Sequence, residues 1–418
     1  MSRADRRKQS RSRPRGQRSR DAARTWGSVA DGTGGRAPTV TWFSNAPWAP
    51  TGYGQQTAQV VRRLAAGGWP VAVAANFGLH GTQTVWEDVP IFPAGFDQYS
   101  QDVIVAHHEA WTSRWSAPSA LITLFDTWVF TSDRLGAVDR IASWVPVDHL
   151  PCPPKVREWC ARPNVLPIAM AEYGRSMLHR ADIDCEYVPH AIEDVFQPTA
   201  SWNGRPAREV IGCPDDAFVV MMNAANKGVY PTRKAFGENL LAMSELMRAH
   251  DDVWLYMHTE SRGGIGGIDL LRLVEAVGID ERRVRFVDQY GYRTGIDPQL
   301  LAALYTTADV LLACSMGEGF GIPTVEAQAC GTRVIVSDFS AQPELVGDGW
   351  TVEGQPSWDP MQDAWWHVPN VNAIVDRLKV AYGQPGHSDK AVEFAAGYRA
   401  DRVFAECWVP VLERLAEQ

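Results

Sequence analysis

The segment GEGFGIPTVEAQACGTRVIVSDFSAQPEL, residues 317–345, combines four glycines with four acidic residues in one stretch of the chain. It follows the apolar run DVLLACS, so Glu318 comes just after the carboxyl end of a predicted strand. Gly319 and Gly321 permit close backbone approach. Pro323 suits the start of a helix, where its missing N–H costs nothing. The segment therefore predicts a strand, a glycine turn and a helix, an arrangement typical of α/β proteins with parallel sheets.

The two glutamates nearest this turn indicate a polar ligand. Glu326 falls within the first turns of the predicted helix, whose N–H groups and positive end favour phosphates and other oxygen-rich ligands. A carboxylate accepts two hydrogen bonds at once, which suits adjacent hydroxyls of a ribose or a hexose. The alternative is that Glu326 only complements the dipole of its own helix.

Short apolar runs predicted as buried strands alternate with amphipathic runs predicted as helices over most of the chain. The first series contains VTWF, PVAVAANF, DVIVAHH, ALITLFD, IASWVPVD, VLPIAMA and CEYVPHA. A polar segment at residues 196–212 is predicted to be a linker. The second series contains FVVMMNAA, VWLYMHTE, RVRFVDQ, DVLLACS and RVIVSD. The chain is therefore predicted to form two Rossmann-like α/β domains that face each other across a cleft, at residues 37–200 and 201–385. A final helix, within 386–418, is expected to cross back to the first domain.

Composition excludes several classes of protein. Apolar residues make up 45% of the 418 and charged residues 21%, as in globular enzymes. No run approaches the roughly 20 apolar residues of a transmembrane helix, and the N-terminus lacks the apolar stretch of a secretory signal. The seven cysteines are odd in number and form no C-x-x-C pair. We therefore expect reduced thiols in a cytoplasmic protein, without disulfides or a thiolate zinc site.

Residues 1–36 contain eleven Lys or Arg residues and three Asp residues, a net charge of +8 within a chain of net charge −9. The segment has too few apolar residues for a core and is predicted to be a disordered tail. One interpretation is a tether to nucleic acid or another acidic surface, because polybasic arms gain affinity by releasing counterions. The other is a solvated extension without a binding role.

The stretch EGFGIPTVEAQACGTRVIVSDFSAQPEL resembles the donor-site motif of retaining family-4 glycosyltransferases, the glycosyl transferases group 1, which have the glycogen-phosphorylase-like GT-B fold. Glu318 and Glu326 have the spacing of that motif, and Glu344 matches the glutamate of its PEL sequence. The resemblance extends more weakly over the chain from about residue 40. It implies a retaining enzyme that moves a hexose from a nucleotide-diphosphate sugar to a hydroxyl acceptor, with no further cofactor.

The resemblance also implies roles for residues on the donor side. Glu326 would bind the ribose hydroxyls of the nucleotide. Glu318 would bind the donor hexose together with backbone N–H groups of the glycine turn, at Gly319, Phe320 and Gly321.

A basic pair after the first strand of the second domain binds the diphosphate in the family. Lys234 is the best match here, and either Lys227 or Arg233 would be its partner. Such cations stabilise the charge that develops on the leaving diphosphate. In the first domain the loop APTGYGQQ matches the family's glycine-rich loop, so Gly52 and Gly54 would approach the donor phosphate or the acceptor. The alternative for this loop is a plain connecting turn.

Family members usually carry a histidine of the first domain near the sugar, and this sequence departs from that pattern. We predict His149 and Asp126, each at the end of a predicted strand, as polar groups that face the cleft. His107 and His108 follow an earlier predicted strand and are the other candidates.

Two further positions bear on mechanism. In YVPHAIEDVF, His190 and Glu193 occupy places where the family has Asn and Asp, so no role is transferred to them. In ADIDC, Asp182 and Asp184 have the spacing of the metal-binding motif of another glycosyltransferase fold. They fall in a short predicted turn, where acidic residues serve as caps, and we predict metal-independent catalysis.

The acceptor stays open at this point. A small molecule, lipid or glycan is one option. A macromolecular acceptor, either a modified DNA base or a protein recruited through the basic tail, is another. A third possibility, a nucleotide-sugar-binding protein without catalysis, is disfavoured because Glu318, Glu326 and Lys234 are all present.

Overall fold

The computed structural model describes residues 37–228, 232–263 and 266–417. The basic segment 1–36, for which a disordered tail is predicted, lies outside the described residues. Within these ranges, no helix combines the length and the apolar character needed to cross a membrane.

Eight strands form the first sheet: β1 (Thr39–Ser44), β2 (Val71–Ala75), β3 (Thr84–Trp86), β4 (Val89–Phe92), β5 (Ser119–Leu124), β6 (Ile141–Val145), β7 (Val165–Ala169) and β8 (Glu186–Tyr187). Their order is β3-β4-β2-β1-β5-β6-β7-β8, and every neighbouring pair is parallel except β3 and β4. The helices are α1 (Gly52–Ala66), α2 (Ile104–Thr112), α3 (Pro154–Cys160) and α4 (Glu172–His179). All six residues of β1 are buried, as expected of a central parallel strand with both faces covered.

One strand prediction in this half is wrong. The run DVIVAHH forms the start of helix α2 instead of a strand. Its buried residues are Ile104, His108 and Trp111, at positions i, i+4 and i+7 of one helix face. The branched residues suggested a strand, but the apolar face has the period of a helix.

The second sheet contains β11 (Phe218–Asn223), β12 (Val253–His258), β13 (Val284–Phe286), β14 (Val310–Ala313), β15 (Arg333–Ser337) and β16 (Gly349–Val352). Its order is β13-β12-β11-β14-β15-β16, all parallel, which is the doubly wound order of dinucleotide-binding folds. A short hairpin, β9 (Ser201–Trp202) and β10 (Arg205–Pro206), precedes it. The helices are α5 (Ala207–Ile211), α6 (Phe236–Ala249), α7 (Leu270–Ala276), α8 (Gln289–Thr294), α9 (Pro298–Thr307), α10 (Ile322–Ala329) and α11 (Val371–Tyr382).

An antiparallel hairpin of β17 (Gly354–Asp359) and β18 (Ala364–Pro369) follows β16. This hairpin was not predicted from the sequence. Its second strand reaches the first half of the molecule, because the backbone groups of Leu150 and Trp365 exchange two hydrogen bonds of 3.0 and 2.8 Å. The hairpin therefore connects the two α/β units.

The C-terminal segment is broken, whereas one helix was predicted. It contains α12 (Asp389–Ala395), α13 (Ala400–Val403), a π-helical turn over Phe404–Trp408, and α14 (Val409–Glu417). The break occurs where Ile192 exchanges backbone hydrogen bonds with Tyr398 and Ala400, which takes the chain out of helical geometry. Beyond it, the ring of Trp408 packs 5.6 Å from that of Trp42 and 4.9 Å from that of Trp144, both in the first sheet.

Ligands of such sheets bind at the carboxyl ends of the strands, where the strand order reverses. That point lies between β1 and β5 in the first sheet and between β11 and β14 in the second. The loops at these edges meet closely. A Cβ atom on Gly319, after β14, would lie 2.3 Å from the Cβ atom of Pro146, after β6. The fold therefore brings the two binding edges together.

Candidate functional site

Two cations and one carboxylate form a compact cluster at the carboxyl end of β14. Lys234 donates through Nζ to Oε1 of Glu318, and Arg233 donates through Nη1 to Oε2 of the same carboxylate at 2.9 Å. The backbone joins the two segments as well, because the N–H of Met316 donates to the carbonyl of Arg233 at 2.8 Å. Nη1 of Arg233 also lies 3.8 Å from Oδ2 of Asp148 in the first α/β unit. Glu318 therefore orients both cations toward the junction of the two halves.

The alternative partner of Lys234 lies elsewhere. The side chain of Lys227 is exposed and forms no ion pair within the described part of the chain. The structure thus brings Arg233, and not Lys227, into the cluster.

The charges of the cluster control its protonation. Burial alone would raise the pKa of Glu318, but the Arg233 and Lys234 charges outweigh it and lower that pKa to about 2. Burial, followed by repulsion from Arg233, lowers the pKa of Lys234. Burial opposes the charge of Arg233, yet Glu318 and Asp148 raise its pKa above the ordinary value. Glu318 is accordingly an anion throughout the neutral range.

Glu326 lies on the inner face of α10 and is buried. Its Oε2 accepts a hydrogen bond of 2.9 Å from the hydroxyl of Tyr305, which in turn accepts one of 2.6 Å from Nδ2 of Asn223. Burial raises the pKa of Glu326 to about 7, and the Tyr305 hydroxyl only partly opposes that rise. Asn223 ends β11, so this chain of hydrogen bonds reaches the edge where ligands bind in such sheets.

The turn between Glu318 and α10 presents backbone donors. Gly321 has φ of +126°, a conformation that favours glycine. No acceptor for the N–H groups of Gly319, Phe320 or Gly321 occurs among the described residues. The side chain of Phe320 is buried, with its ring centroid 5.3 Å from that of His190. The predicted hexose-binding N–H groups therefore lie beside the cation cluster.

The two glycines of the first-half loop have different surroundings. Gly52 begins α1, and a Cβ atom there would lie 3.3 Å from Cδ1 of Ile322, at the start of α10. Gly52 thus lies at the junction of the two halves. Gly54 is buried, and a Cβ atom there would lie 2.2 Å from the carbonyl oxygen of Ala49. This close contact lies within the loop of Gly54 itself, as expected if that glycine only forms a connecting turn.

Asp126 and Tyr53 form the first-half wall of the junction. Asp126 follows β5 and its side chain is open to solvent. The surrounding protein nevertheless desolvates it, and together with the charge of Asp148 this raises its pKa to about 6. Burial and the nearby Asp126 carboxylate raise the pKa of Tyr53 well above its ordinary value. That Asp126 faces the cleft stays a prediction; the charge of Arg233, from the second half, acts on its pKa and lowers it.

His149, which was predicted to face the cleft, is buried. Its Nδ1 lies 2.6 Å from Oδ1 of Asp148, and its Nε2 lies 3.2 Å from Oδ2 of Asp359. The ring stacks on Trp366 at 4.7 Å between centroids. The unpredicted β17–β18 hairpin supplies Asp359 and Trp366 and encloses the histidine. His149 therefore lies buried between the two halves, with carboxylates at both ring nitrogens.

Glu344 contacts the opposite half of the molecule. Its two carboxylate oxygens accept hydrogen bonds of 2.9 Å from the N–H groups of Glu172 and Tyr173, at the start of α4. Burial raises its pKa, although these two N–H groups oppose the rise. The carboxylate predicted to bind the donor is thus hydrogen bonded to a helix N-terminus across the junction.

The other histidines named from the sequence contact residues outside the cluster. His108 is buried on α2, with Nδ1 2.9 Å from the hydroxyl of Thr41, and His107 lies 3.1 Å from the carbonyl of Pro93. His190 is buried against Trp144, and burial lowers its pKa to about 3.

The other acidic positions have structural contacts. Glu193 accepts two hydrogen bonds of 3.0 Å from Arg63. Asp182 and Asp184 are exposed on the turn between α4 and β8, with Asp182 in the left-handed region at φ of +59°.

Sequence reasoning missed three contributors: Tyr53, Tyr305 and Asp359. Tyr53 stands inside the glycine-rich loop APTGYGQQ that was singled out, so its position was a usable signal. Tyr305 belongs to an apolar helix and Asp359 to an unpredicted hairpin. Only the three-dimensional contacts reveal those two.

Comparisons with known proteins agree with the geometry. The family described as "Glycosyl transferases group 1" matches residues 289–381. A D-inositol 3-phosphate glycosyltransferase of Segniliparus rotundus is 31% identical over 149 residues, 35% of this chain and 31% of the relative. A second, from Catenulispora acidiphila, is 30% identical over 211 residues, 49% of this chain and 44% of the relative. The chain therefore spans less than half the length of these two curated relatives.

Solved structures resemble the whole fold. Sucrose-phosphate synthase from Thermosynechococcus elongatus has a TM-score of 0.66 at 18% identity, over 91% of this chain and 98% of that one. A glycosyltransferase from Rickettsia africae has a TM-score of 0.68 at 14% identity, over 92% and 100%. These likenesses concern the fold. The chain thus has the two-domain GT-B fold, and its residues 289–381 match the model of the glycosyl transferases group 1 family.

Proposed function

We propose that the protein is a retaining glycosyltransferase that moves a hexose from a nucleotide-diphosphate sugar to a hydroxyl acceptor. The observation that carries the proposal is the cluster of Arg233, Lys234 and Glu318, at the strand ends where the two halves meet. Beside it are backbone N–H groups that have no acceptor in the part of the chain that the structure describes. The names of the relatives support the reaction class.

In the proposed reaction the bond between C1 of the hexose and the diphosphate oxygen breaks, and its electron pair stays on the diphosphate. Arg233 and Lys234 stabilise that charge from fixed positions, without reorganisation during the reaction. The acceptor oxygen bonds to C1 on the same face, and its proton passes to a donor phosphate oxygen. The two side-chain cations supply the positive charge, so we propose that catalysis is metal-independent.

The remaining donor contacts follow from the positions of the glutamates. Glu318 stays ionised and accepts hydrogen bonds from hexose hydroxyls, while the adjacent N–H groups donate to hexose oxygens. Glu326, with its pKa near 7, lies by the end of β11 and binds ribose hydroxyls. Asp126, across the junction, is placed to contact the acceptor or the sugar.

Two classes of acceptor have support from the comparisons and the sequence. The relatives' names indicate a small phosphorylated polyol. The net charge of +8 in residues 1–36 favours, as a second candidate, a macromolecule such as a modified DNA base or an acidic protein. Deleting residues 1–36 separates them, because transfer to a macromolecule would fall and transfer to a small acceptor would not.

The test of the reaction uses Lys234→Met, with Lys379→Met as the control because Lys379 is exposed on α11. Release of nucleoside diphosphate is measured with a panel of nucleotide sugars, and the anomeric configuration of the product is read by proton NMR. We expect Lys234→Met to lose about a hundredfold or more in kcat, the control to keep its activity, and the product to retain the donor configuration. Near-normal turnover by Lys234→Met would contradict the site assignment. A product of inverted anomeric configuration would contradict the retaining mechanism.

A further inference from the structure

Large aromatic side chains are exposed at the carboxyl ends of four neighbouring strands of the first sheet. Trp48 follows β1, Phe77 follows β2, Phe96 follows β4 and Trp128 follows β5, with exposures of 41%, 50%, 104% and 38%. These strands lie side by side in the order β4-β2-β1-β5. We refer to these four residues as the aromatic rail. Exposed aromatic groups gathered at one edge mark an interaction site more often than scattered single ones do.

Hydrogen bonds fix the loops that carry the rail. Nε1 of Trp48 donates to the carbonyl of Gly78 at 2.8 Å, which joins the loop after β1 to the loop after β2. The hydroxyl of Ser100 donates to Oδ1 of Asn76 at 3.1 Å, and Nε2 of Gln101 donates to the carbonyl of Val129 at 3.1 Å.

The segment that makes these connections is itself restrained. Ser100 is buried and lies in the left-handed region at φ of +53°, which surrounding contacts must maintain. The N–H of Phe96 donates to Oδ2 of Asp102 at 2.9 Å. The loops that carry the rings are therefore held in place before any ligand binds, which lowers the entropy cost of binding.

The charge around the rail disfavours phosphorylated ligands. The four loops, residues 45–51, 76–83, 93–103 and 125–133, contain no Lys or Arg. Their acidic residues are Asp97, Asp102, Asp126 and Asp133. One cation, Arg134, follows the last loop and donates through Nη1 to the carbonyl of Asp102 at 3.1 Å. Four carboxylates against one arginine still make an encounter with a phosphate group unfavourable.

We infer that the acceptor is an uncharged oligosaccharide whose sugar rings stack along the aromatic rail. This inference rests on the proposed transferase function and specifies its acceptor. A pyranose ring offers apolar C–H faces that suit the electron-rich faces of aromatic rings. Its hydroxyls donate hydrogen bonds, and carboxylates such as Asp126 accept them.

The geometry also favours a chain over a single sugar. The rail crosses four adjacent strands, and three inter-strand spacings amount to roughly 14 Å. That length exceeds one pyranose ring. Trp128 lies two residues from Asp126, so the end of the rail next to β5 is adjacent to the proposed transfer site. The oligosaccharide would therefore present its terminal hydroxyl near Asp126.

The inference is tested by titrating the full chain with neutral hexasaccharides of glucose, mannose and galactose, using calorimetry and saturation-transfer NMR. Inositol 1-phosphate and a ten-residue oligothymidylate are titrated in parallel. The variants are Trp128→Ala and Phe96→Ala. Trp115→Ala is the matched control, because Trp115 is 44% exposed in the same domain but lies before the amino end of β5.

We expect at least one neutral hexasaccharide to bind. Each rail variant should raise its Kd about two- to tenfold, and the control should leave it unchanged. Phe96 is fully exposed, so its variant keeps the test valid if Trp128→Ala fails to fold. The inference is overturned if no hexasaccharide binds, if inositol 1-phosphate or the oligonucleotide binds instead, or if Trp115→Ala weakens binding equally.

Binding of UDP, GDP and ADP is measured on the same samples. Intact nucleotide binding without hexasaccharide binding would overturn the acceptor class alone. If the wild-type protein binds none of the three nucleotides, the proposed function itself is overturned.

Discussion

Glu326→Gln is predicted to stabilise the protein above neutral pH while impairing donor use. The folded-state pKa of Glu326 is about 7, against an ordinary value of 4.5. Between these two values the folded state keeps a proton that the unfolded chain has lost, so stability falls as the pH rises. A difference of about 2.5 units corresponds to about 3 kcal/mol at 1.36 kcal/mol per unit. Glutamine has no such proton and still accepts the hydrogen bond from Tyr305.

The assay is urea denaturation of both proteins between pH 5 and pH 8. The free energy of unfolding of Glu326→Gln relative to wild type should rise across this range by up to about 3 kcal/mol. Glu413→Gln, on an exposed position of α14, is the control and should show no such rise. The KM for the nucleotide sugar should increase in Glu326→Gln, because a neutral amide is a weaker acceptor for ribose hydroxyls. A stability difference that does not change with pH would refute the reasoning.

Three further predictions concern the junction of the two halves and the C-terminal segment. Glu344→Ala removes the acceptor of two N–H groups at the start of α4; it should cost about 1 kcal/mol in thermal unfolding, and an unchanged melting temperature would contradict this. Gly319→Ala places a Cβ atom 2.3 Å from that of Pro146; transfer should fall about a hundredfold, while Gly136→Ala, whose Cβ would meet nothing within 4 Å, should retain activity. Trp408→Ala deletes a buried ring from the first-sheet core and should cost about 3–5 kcal/mol by urea denaturation; a loss below 1 kcal/mol would show that the C-terminal segment adds little.

The sheet architecture was accessible from sequence because parallel strands buried on both faces give continuous apolar runs. FVVMMNAA, DVLLACS and RVIVSD each became the strand that their composition predicted. The fold class followed from the alternation of such runs with amphipathic segments. The same reasoning failed for DVIVAHH, where branched apolar residues lie on a helix face and a strand was expected.

Elements that depend on distant contacts could not be predicted. The β17–β18 hairpin pairs with Leu150 more than 200 residues earlier in the chain, and its Trp-rich strands have no alternating pattern that would mark them. The break in the last helix depends on hydrogen bonds to Ile192. The burial of His149 also depends on the hairpin, which supplies Asp359 and Trp366 beside its ring.

The candidate site, like the fold, was predictable from sequence only in part. The spacing of Glu318 and Glu326 and the identity of Lys234 were visible in the sequence. The choice between Lys227 and Arg233 required coordinates, because both are near Lys234 in sequence and only one approaches Glu318. On the acceptor side the sequence offered the glycine-rich loop APTGYGQQ but no motif that identifies the acceptor. The aromatic rail is assembled from four separate loops and becomes visible only when the strand order is known.

The central claim is that Arg233, Lys234 and Glu318 bind the diphosphate and hexose of a nucleotide sugar. Calorimetric titration of the wild-type protein and of Lys234→Met with UDP, GDP and ADP tests it most directly. We predict that at least one of these nucleotides binds the wild type, and that Lys234→Met remains folded and binds it at least about tenfold more weakly. Equal affinity in the two proteins, or no binding of any of the three nucleotides to the wild type, would contradict the account.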